Sequence, residues 1–398
     1  MKKLLMASAA TLALTGAASA EDVKLGILIG FTGPIESLTS HMANAAEAAM
    51  AEVNTSGKSA HNFVSVRGDS TCVDSAAATS AAERMVTAEG VKGIIGGDCS
   101  GVTGAVLQNV ARPNGIVMVS PSATSPALTT AEDDGLFFRT APSDAREGEV
   151  MGEILKEKGV TSIALTYSNS DYGKGLAEAI AAGFAAQGGT VTINIPHEDG
   201  KADYSAEVAS LAAAGGDLLV VAGYLDQGGK GIIQASLDSG AFSQFGLPGG
   251  MVGDSLPAAI GPALDGSYGQ VAQSDSPGAA ILTEMGKAAA TPFDATSPYT
   301  MESYDAAALI MLAMHAAGST DSKVYAGKIL EIANGPADGS GVKIMPGELG
   351  KALELIAAGT AIDYDGASGV TLIGPGESAG RYKQFEIKGG VYETVQFR

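Results

Sequence analysis

The apolar positions of this 398-residue chain fall into short continuous runs separated by longer stretches at helical spacing. Runs over 25–30, 62–66, 93–95 and 116–119 read as strands. Between them, 43–53 and 75–88 carry alanine, methionine and valine at helical intervals, with Ala78, Ala81, Ala82, Met85 and Val86 on one side. This alternation predicts a parallel sheet covered on both faces by helices. Residues 136–139, followed by Thr140-Ala141-Pro142-Ser143, read as an extended crossing, after which the alternation starts afresh. The second series has helices over 147–158, 172–187, 205–214 and 228–239, and strands over 162–167, 190–195, 218–222, 245–252 and 268–272. Two similar units in tandem predict an α/β chain of two lobes. Past Gln273 the chain reads helical again over 278–289, 301–317, 324–334 and 348–358, and these helices are expected to cover the first unit's sheet. A turn over 364–369 leads to a strand over 370–372. Segments 382–387 and 391–395 alternate like an edge hairpin turning at Gly389-Gly390.

One stretch, 93–130, organises the rest. In an open α/β sheet a ligand sits outside the carboxyl ends of the strands. The loop after 93–95 offers Asp98, Cys99, Ser100 and Gly101, and the loop after 116–119 offers Ser120, Ser122 and Thr124. Ser125 followed by Pro126 is an N-cap with proline at the first helical position, so a helix N-terminus points the same way. Hydroxyls and free backbone N–H groups converging there suit a small anion such as a carboxylate. The plain alternative is that they only cap helices.

Residues 1–20 have Lys2 and Lys3, an apolar stretch over 4–14 and Ala18-Ser19-Ala20, the pattern of an export signal cleaved after Ala20. The apolar stretch is too short to span a bilayer, and no cysteine follows the cleavage point to carry a lipid. The mature chain is expected to be a soluble, exported monomer. Its formal charge moves from −20 to −22 when Lys2 and Lys3 leave, which argues against nucleic acid or an anionic membrane face as partners. The two cysteines, Cys72 and Cys99, each follow a predicted strand. In an oxidising compartment they can bridge neighbouring strand tips and hold Ser100 in place, or stay as buried free thiols.

His41, His61, His197 and His315 are scattered without a pair at metal-ligand spacing. No phosphate loop or dinucleotide glycine fingerprint opens a helix, so neither metal nor cofactor is expected. Gly253-Asp254-Ser255-Leu256 spells a serine-esterase signature. A nucleophilic serine needs a histidine base held by a carboxylate, and His315, the only histidine downstream, has no aspartate three residues before it. An exported hydrolase using Ser255 is thus the remote alternative, and Asp254 better suits a helix start or a ligand amine.

Taken together, the export signal, Thr32-Gly33-Pro34, a cysteine in each of two loops, Ser120-Pro121-Ser122-Ala123-Thr124, Phe138-Arg139-Thr140, Asp171-Tyr172-Gly173 and Tyr364-Asp365-Gly366 resemble the type I periplasmic binding proteins. The resemblance covers essentially the whole mature chain and is closest to the leucine/isoleucine/valine-binding branch serving ABC transporters. It implies two Rossmann-like lobes with parallel-rich sheets joined by a three-segment hinge, crossing near 139–141, 272–274 and 380–384. Lobe 1 would be 21–141 plus 273–381, and lobe 2 would be 142–272 plus 382–398. It also implies a Cys72–Cys99 disulfide, a periplasmic location, no enzymatic activity, and delivery of an amino acid, branched-chain or a related small zwitterion, to an inner-membrane permease. A ligand-sensing receptor for another small carboxylate, amide or amine is the alternative.

Carried over by position, Ser100, Ser122 and Thr124 match the residues that hold the ligand's α-carboxylate. Ser122 stands where alanine is usual, so its backbone N–H is the relevant group. Tyr172 and Tyr224 match the tyrosines that close over the ligand. Three positions depart from the family pattern. Gly250 stands where the family has an acidic residue for the α-ammonium, with Asp254 four residues on; Asp98 stands where an apolar residue lines the side-chain pocket; Leu38 stands where a tyrosine is found. A buried carboxylate must be paired, so Asp98 is expected to face solvent or to meet a positive group on the ligand.

Overall fold

The computed structural model describes residues 20–398, so the export signal read on 1–20 lies, but for Ala20, outside the described residues. Two sheets of seven strands each form, with a separate two-stranded sheet. The first takes β1 (Glu21–Ile29), β2 (His61–Asp69), β3 (Ile94–Gly96), β4 (Met118–Ser120) and β5 (Phe137–Pro142), all parallel, in the order β2-β1-β3-β4-β5. The second repeats that order with β6 (Ser162–Ser168), β7 (Thr190–His197), β8 (Leu218–Ala222), β9 (Phe245–Leu247) and β10 (Tyr268–Ala272), running β7-β6-β8-β9-β10. In both sheets the strand order reverses beside the first strand of the unit. That is where doubly wound sheets open a crevice for ligand.

The rest of the chain completes both sheets. β11 (Val342–Ile344) and β12 (Ile362–Tyr364) pair only with each other. β13 (Leu372–Ile373) and β14 (Glu377–Ser378) extend the first sheet beyond β5, while β15 (Tyr382–Lys388) and β16 (Val391–Phe397) extend the second antiparallel to β10. The chain therefore changes sheet three times, after Pro142, after Ala272, and between Ser378 and Tyr382.

Helix Thr300–Ala317 shows why the late helices belong with the first sheet. It is buried continuously from Thr300 to Met314, as an all-round apolar helix must be. It packs on β3, β4 and β5 and is flanked by helices Glu36–Ser56, Ser322–Asn334 and Leu349–Ala357. Its one buried aspartate, Asp305, is saturated with donors: Oδ1 accepts the Tyr364 hydroxyl and Ala367 N–H at 2.8 Å each, and Oδ2 accepts Ser368 N–H at 2.8 Å and Ser368 Oγ–H at 2.6 Å. The turn read over 364–369 is thereby anchored to the centre of the first unit.

Several expected elements change form. The extended crossing at 136–139 is a full strand, β5, pairing with β4 through Met118–Phe137 and Ser120–Arg139 and with β14 as far as Pro142. The strand expected over 245–252 stops at Leu247, because Pro248 has no N–H to donate and a 3-10 turn, Gly249–Met251, follows. The β11–β12 pair gave no alternation long enough to predict. Cys72 and Cys99 are joined, with Cα atoms 5.1 Å apart, which removes the free-thiol alternative. Closing that loop of 27 residues is worth about 3.5 kcal/mol in the chain-entropy model.

Candidate functional site

The two loops of stretch 93–130 meet. Ser120 Oγ donates to Gly97 O at 2.5 Å, Ser122 Oγ donates to Asp98 O at 2.9 Å, and Ser125 N donates to Ser100 Oγ at 3.1 Å. The loops are thus stitched by their own serines, and the capping role weighed from sequence is part of what they do. Ser100 Oγ accepts one bond and keeps its O–H hydrogen free. Ser122 N–H is held only by Ser120 Oγ at 3.3 Å. Both residues, with Asp98, Cys99, Ile35 and Leu38, line a small cavity between the sheets.

The facing wall comes from the second sheet's strand ends. Helix Asp171–Ala186 starts with Ser170 Oγ accepting Gly173 N–H, which sets Tyr172 in the first turn; Tyr224 follows β8. Their rings stack at 5.0 Å and 25°, and the Tyr172 hydroxyl accepts Gly250 N–H at 3.0 Å. Burial raises both phenols well above their ordinary range, so they are neutral. The cavity left has about 20 Å³ for centres of water-sized molecules, room for one or two waters. The cleft is largely filled by its own tyrosines in this closed form.

Tyr299 completes the wall from the side of the first sheet. Sequence reasoning missed it because it precedes an apolar helix and reads as core. Its φ of 62° is a left-handed conformation that a tyrosine adopts only when held there.

The acidic residues distribute differently from expectation. Asp98 lines the cavity and does not face solvent: it is 1% exposed, Oδ2 accepts Gly30 N–H at 2.7 Å and Oδ1 accepts Ser70 Oγ–H at 2.6 Å. Burial still raises its carboxyl above the ordinary value. Asp254 is exposed and lines a larger neighbouring groove with His41, Ser255 and Lys383, separated from the cavity by Leu38, which borders both. The structure therefore does not bring Asp254 to the serines. Thr124 is buried beside them but is not part of the cavity lining; its carbonyl accepts Asp144 N–H at 2.8 Å. Ser255 Oγ donates to Asp226 Oδ1 at 2.6 Å, and among the described residues no histidine is hydrogen-bonded to it. Asp226 also crosses the cleft, accepting Ser37 N–H at 3.1 Å and donating its own N–H to Pro34 O at 3.1 Å.

A second acidic pair lies behind the wall. Ser143 caps helix Asp144–Glu157, and the first turn carries Asp144 and Glu147, which are 0% and 2% exposed. Glu147 Oε1 accepts Gly249 N–H at 2.7 Å. Burial raises Glu147 to about 7, and burial with the neighbouring Glu147 charge holds Asp144 well above the ordinary carboxylate range.

Against known families, residues 22–330 match the model described as periplasmic binding protein. Leu/Ile/Val-binding protein homolog 1 of Brucella melitensis biotype 1 is 32% identical over 327 residues, 81% of this chain and 85% of that protein. Among solved structures, the branched-chain amino acid transporter substrate-binding protein of Streptococcus pneumoniae, in complex with isoleucine, superposes with a TM-score of 0.76 at 18% identity, covering 95% of this chain and 99% of that one. A solute-binding protein of R. palustris, in complex with 4-hydroxybenzoate, superposes at 0.75 and 19% identity, covering 95% and 97%.

Proposed function

The chain belongs to the periplasmic binding protein family, and from that premise we propose that it is the substrate-binding component of an ABC importer, capturing an amino acid between its lobes. We take the lobes as 21–141 plus 273–381 and 142–272 plus 382–398, a division that the two sheets support except at Pro142, the last residue of β5. The signal at 1–20 is removed after Ala20, and the mature monomer works in the periplasm and delivers to an inner-membrane permease. The observation that carries this reading is the opposition of Ser100 and Ser122, from the first sheet's strand ends, to Tyr172 and Tyr224, from the second's.

Ser100 Oγ–H and Ser122 N–H receive the carboxylate, the two tyrosines cover the ligand, and Leu38 borders its side chain. Serines and tyrosines belong to opposite lobes, so parting the lobes withdraws the rings that fill the closed cleft. Ligand then favours closure by the contacts it gains from the second lobe.

A thermal-shift panel of amino acids, short carboxylates, amides and amines on the mature protein tests this. A ligand at one hundred times its Kd adds about 2.7 kcal/mol of stability. At least one amino acid is expected to raise the melt, and Ser100→Ala or Tyr172→Ala to weaken that shift. A panel without any response sinks the reading.

A further inference from the structure

Building on that amino-acid reading, we propose that the ligand's side chain runs past Leu38 into the neighbouring groove and ends in an anionic group received by Lys383, which makes acidic amino acids the substrate class. The closed cavity has about 20 Å³ for centres of water-sized molecules, whereas the groove has about 380 Å³. A ligand whose carboxylate lies at Ser100 and Ser122 therefore finds little room for a side chain in the cavity itself. The room lies beyond Leu38, which borders both spaces.

The partition is soft. Gly253 lines the groove, and a Cβ there would stand 3.0 Å from Leu38 Cδ2 and 2.7 Å from Leu225 Cδ1. Two leucine side chains thus stand against a bare glycine, so a change of rotamer, with no hydrogen bond to break, joins cavity and groove. Both sheets' units wall the groove, with Ser37, His41 and residues 294–298 on one side and residues 252–255 and 390–392 on the other. A group held there gains contacts when the lobes shut, as one in the cavity does.

Lys383 supplies the charge. It stands half-buried at the start of β15, where the chain changes sheet for the third time. Among the described residues its ammonium has neither a hydrogen bond nor an ion pair. Two acids face it from a distance. Asp294 spends Oδ1 on Thr296 N–H and Oγ1–H, at 2.8 Å each, and Asp254 is exposed. Both favour the charged ammonium, yet burial outweighs them and sets Lys383 below its ordinary value. The closed groove thus strips water from a cation without giving it an anion. Further donors stand beside it. His41 Nδ1 accepts Asp294 N–H at 3.1 Å, so the neutral ring carries its hydrogen on Nε2, and Ser37 and Ser297 add hydroxyls. A ligand with a distal ammonium is the opposite choice, with Asp254 and Asp294 as its partners. Exposed carboxylates gain little from such pairing, and it would bring a like charge to Lys383.

The test sets each acidic amino acid against its side-chain amide, L-aspartate with L-asparagine and L-glutamate with L-glutamine, by calorimetry on the mature protein. L-leucine and L-ornithine stand for uncharged and distal-ammonium side chains. Wild type is expected to bind one of the acids at least tenfold tighter than its amide, leucine or ornithine. Lys383→Met keeps the apolar stem and removes the charge, and should lose at least tenfold on that acid while changing its amide less than threefold. Lys383→Gln stands in should Lys383→Met melt abnormally. A wild type that prefers leucine, an amide or ornithine, an unchanged acid in the variant, or equal losses on acid and amide overturns the inference and leaves amino-acid capture standing. A wild type that binds no amino acid overturns both readings.

Discussion

Asp305 in the first lobe and Asp144 in the second are equally buried, and they are treated in opposite ways. Asp305 receives four donors from Tyr364, Ala367 and Ser368. Burial raises its carboxyl above the ordinary value and those donors pull it back. Asp144 has only the Thr124 hydroxyl near it as a donor, at no close hydrogen-bond distance, faces a second carboxyl one helical turn away, and stands well above the ordinary range. A buried acid that only holds structure can be saturated when the chain folds. One left short of donors beside a second carboxyl is favoured in its neutral form instead.

The contrast is sharpest in stability. Removing one partner of a saturated buried charge network costs about 3 to 5 kcal/mol, so Asp305→Ala is expected to lower unfolding free energy by that amount and to loosen 364–368. Asp144→Asn replaces a carboxyl that burial already favours in its neutral form by a neutral amide of the same shape, and should cost less than about 1 kcal/mol or stabilise. Denaturant melts of the two variants decide; a costlier Asp144→Asn would break the comparison. The next effect is the pH dependence of Glu147. Its folded value of about 7 lies above its ordinary 4.5, so the folded state holds the proton more tightly. The stability it contributes is complete below pH 4.5 and is lost as pH rises through about 7. Between pH 5 and 8 wild type should lose on the order of 2 kcal/mol relative to Glu147→Gln. Parallel pH profiles would show that the carboxyl is not held in this environment.

The frame of the molecule was readable because it rests on repeated local signals. Apolar strand runs and helical spacing placed most elements, and the tandem repetition predicted the two matching sheets. What escaped was set by tertiary contact. Nothing in the period of 245–252 says that Gly249 N–H will leave the ladder for Glu147, more than a hundred residues earlier in the chain. Asp98 could not be assigned because its partners, Gly30 N and Ser70 Oγ, come from loops far away in sequence. Asp144 and Glu147 read as ordinary acids in a helix's first turn, favoured there by the helix dipole. Only burial of that turn turns a capping preference into two carboxyls raised above their ordinary values. Asp254 was drawn in by its closeness in sequence to Gly250, yet the turn that follows sends it to the neighbouring groove.

The smallest effect concerns Asp226, a third carboxylate intermediate between the two aspartates: one oxygen accepts Ser255 Oγ–H on its own side of the cleft, and the other accepts Ser37 N–H from across it. It follows Tyr224 by two residues, so the loop that carries a ring of the ligand wall also carries the cross-cleft bond to Ser37 N–H. Asp226→Ala leaves its own N–H free to keep the bond to Pro34 O and removes two side-chain hydrogen bonds, the one from Ser255 Oγ and the exposed one from Ser37 N–H, of which only the second crosses the cleft. Such a bond is worth about 1 kcal/mol, which is roughly a fivefold shift in the closed population. Stopped-flow release of whichever amino acid binds should therefore speed up about fivefold. Association, limited by encounter with the open form, should barely change. Unchanged release would mean that this bond persists when the lobes part, and a slower association would mean that Asp226 shapes the open cleft instead of latching the closed one.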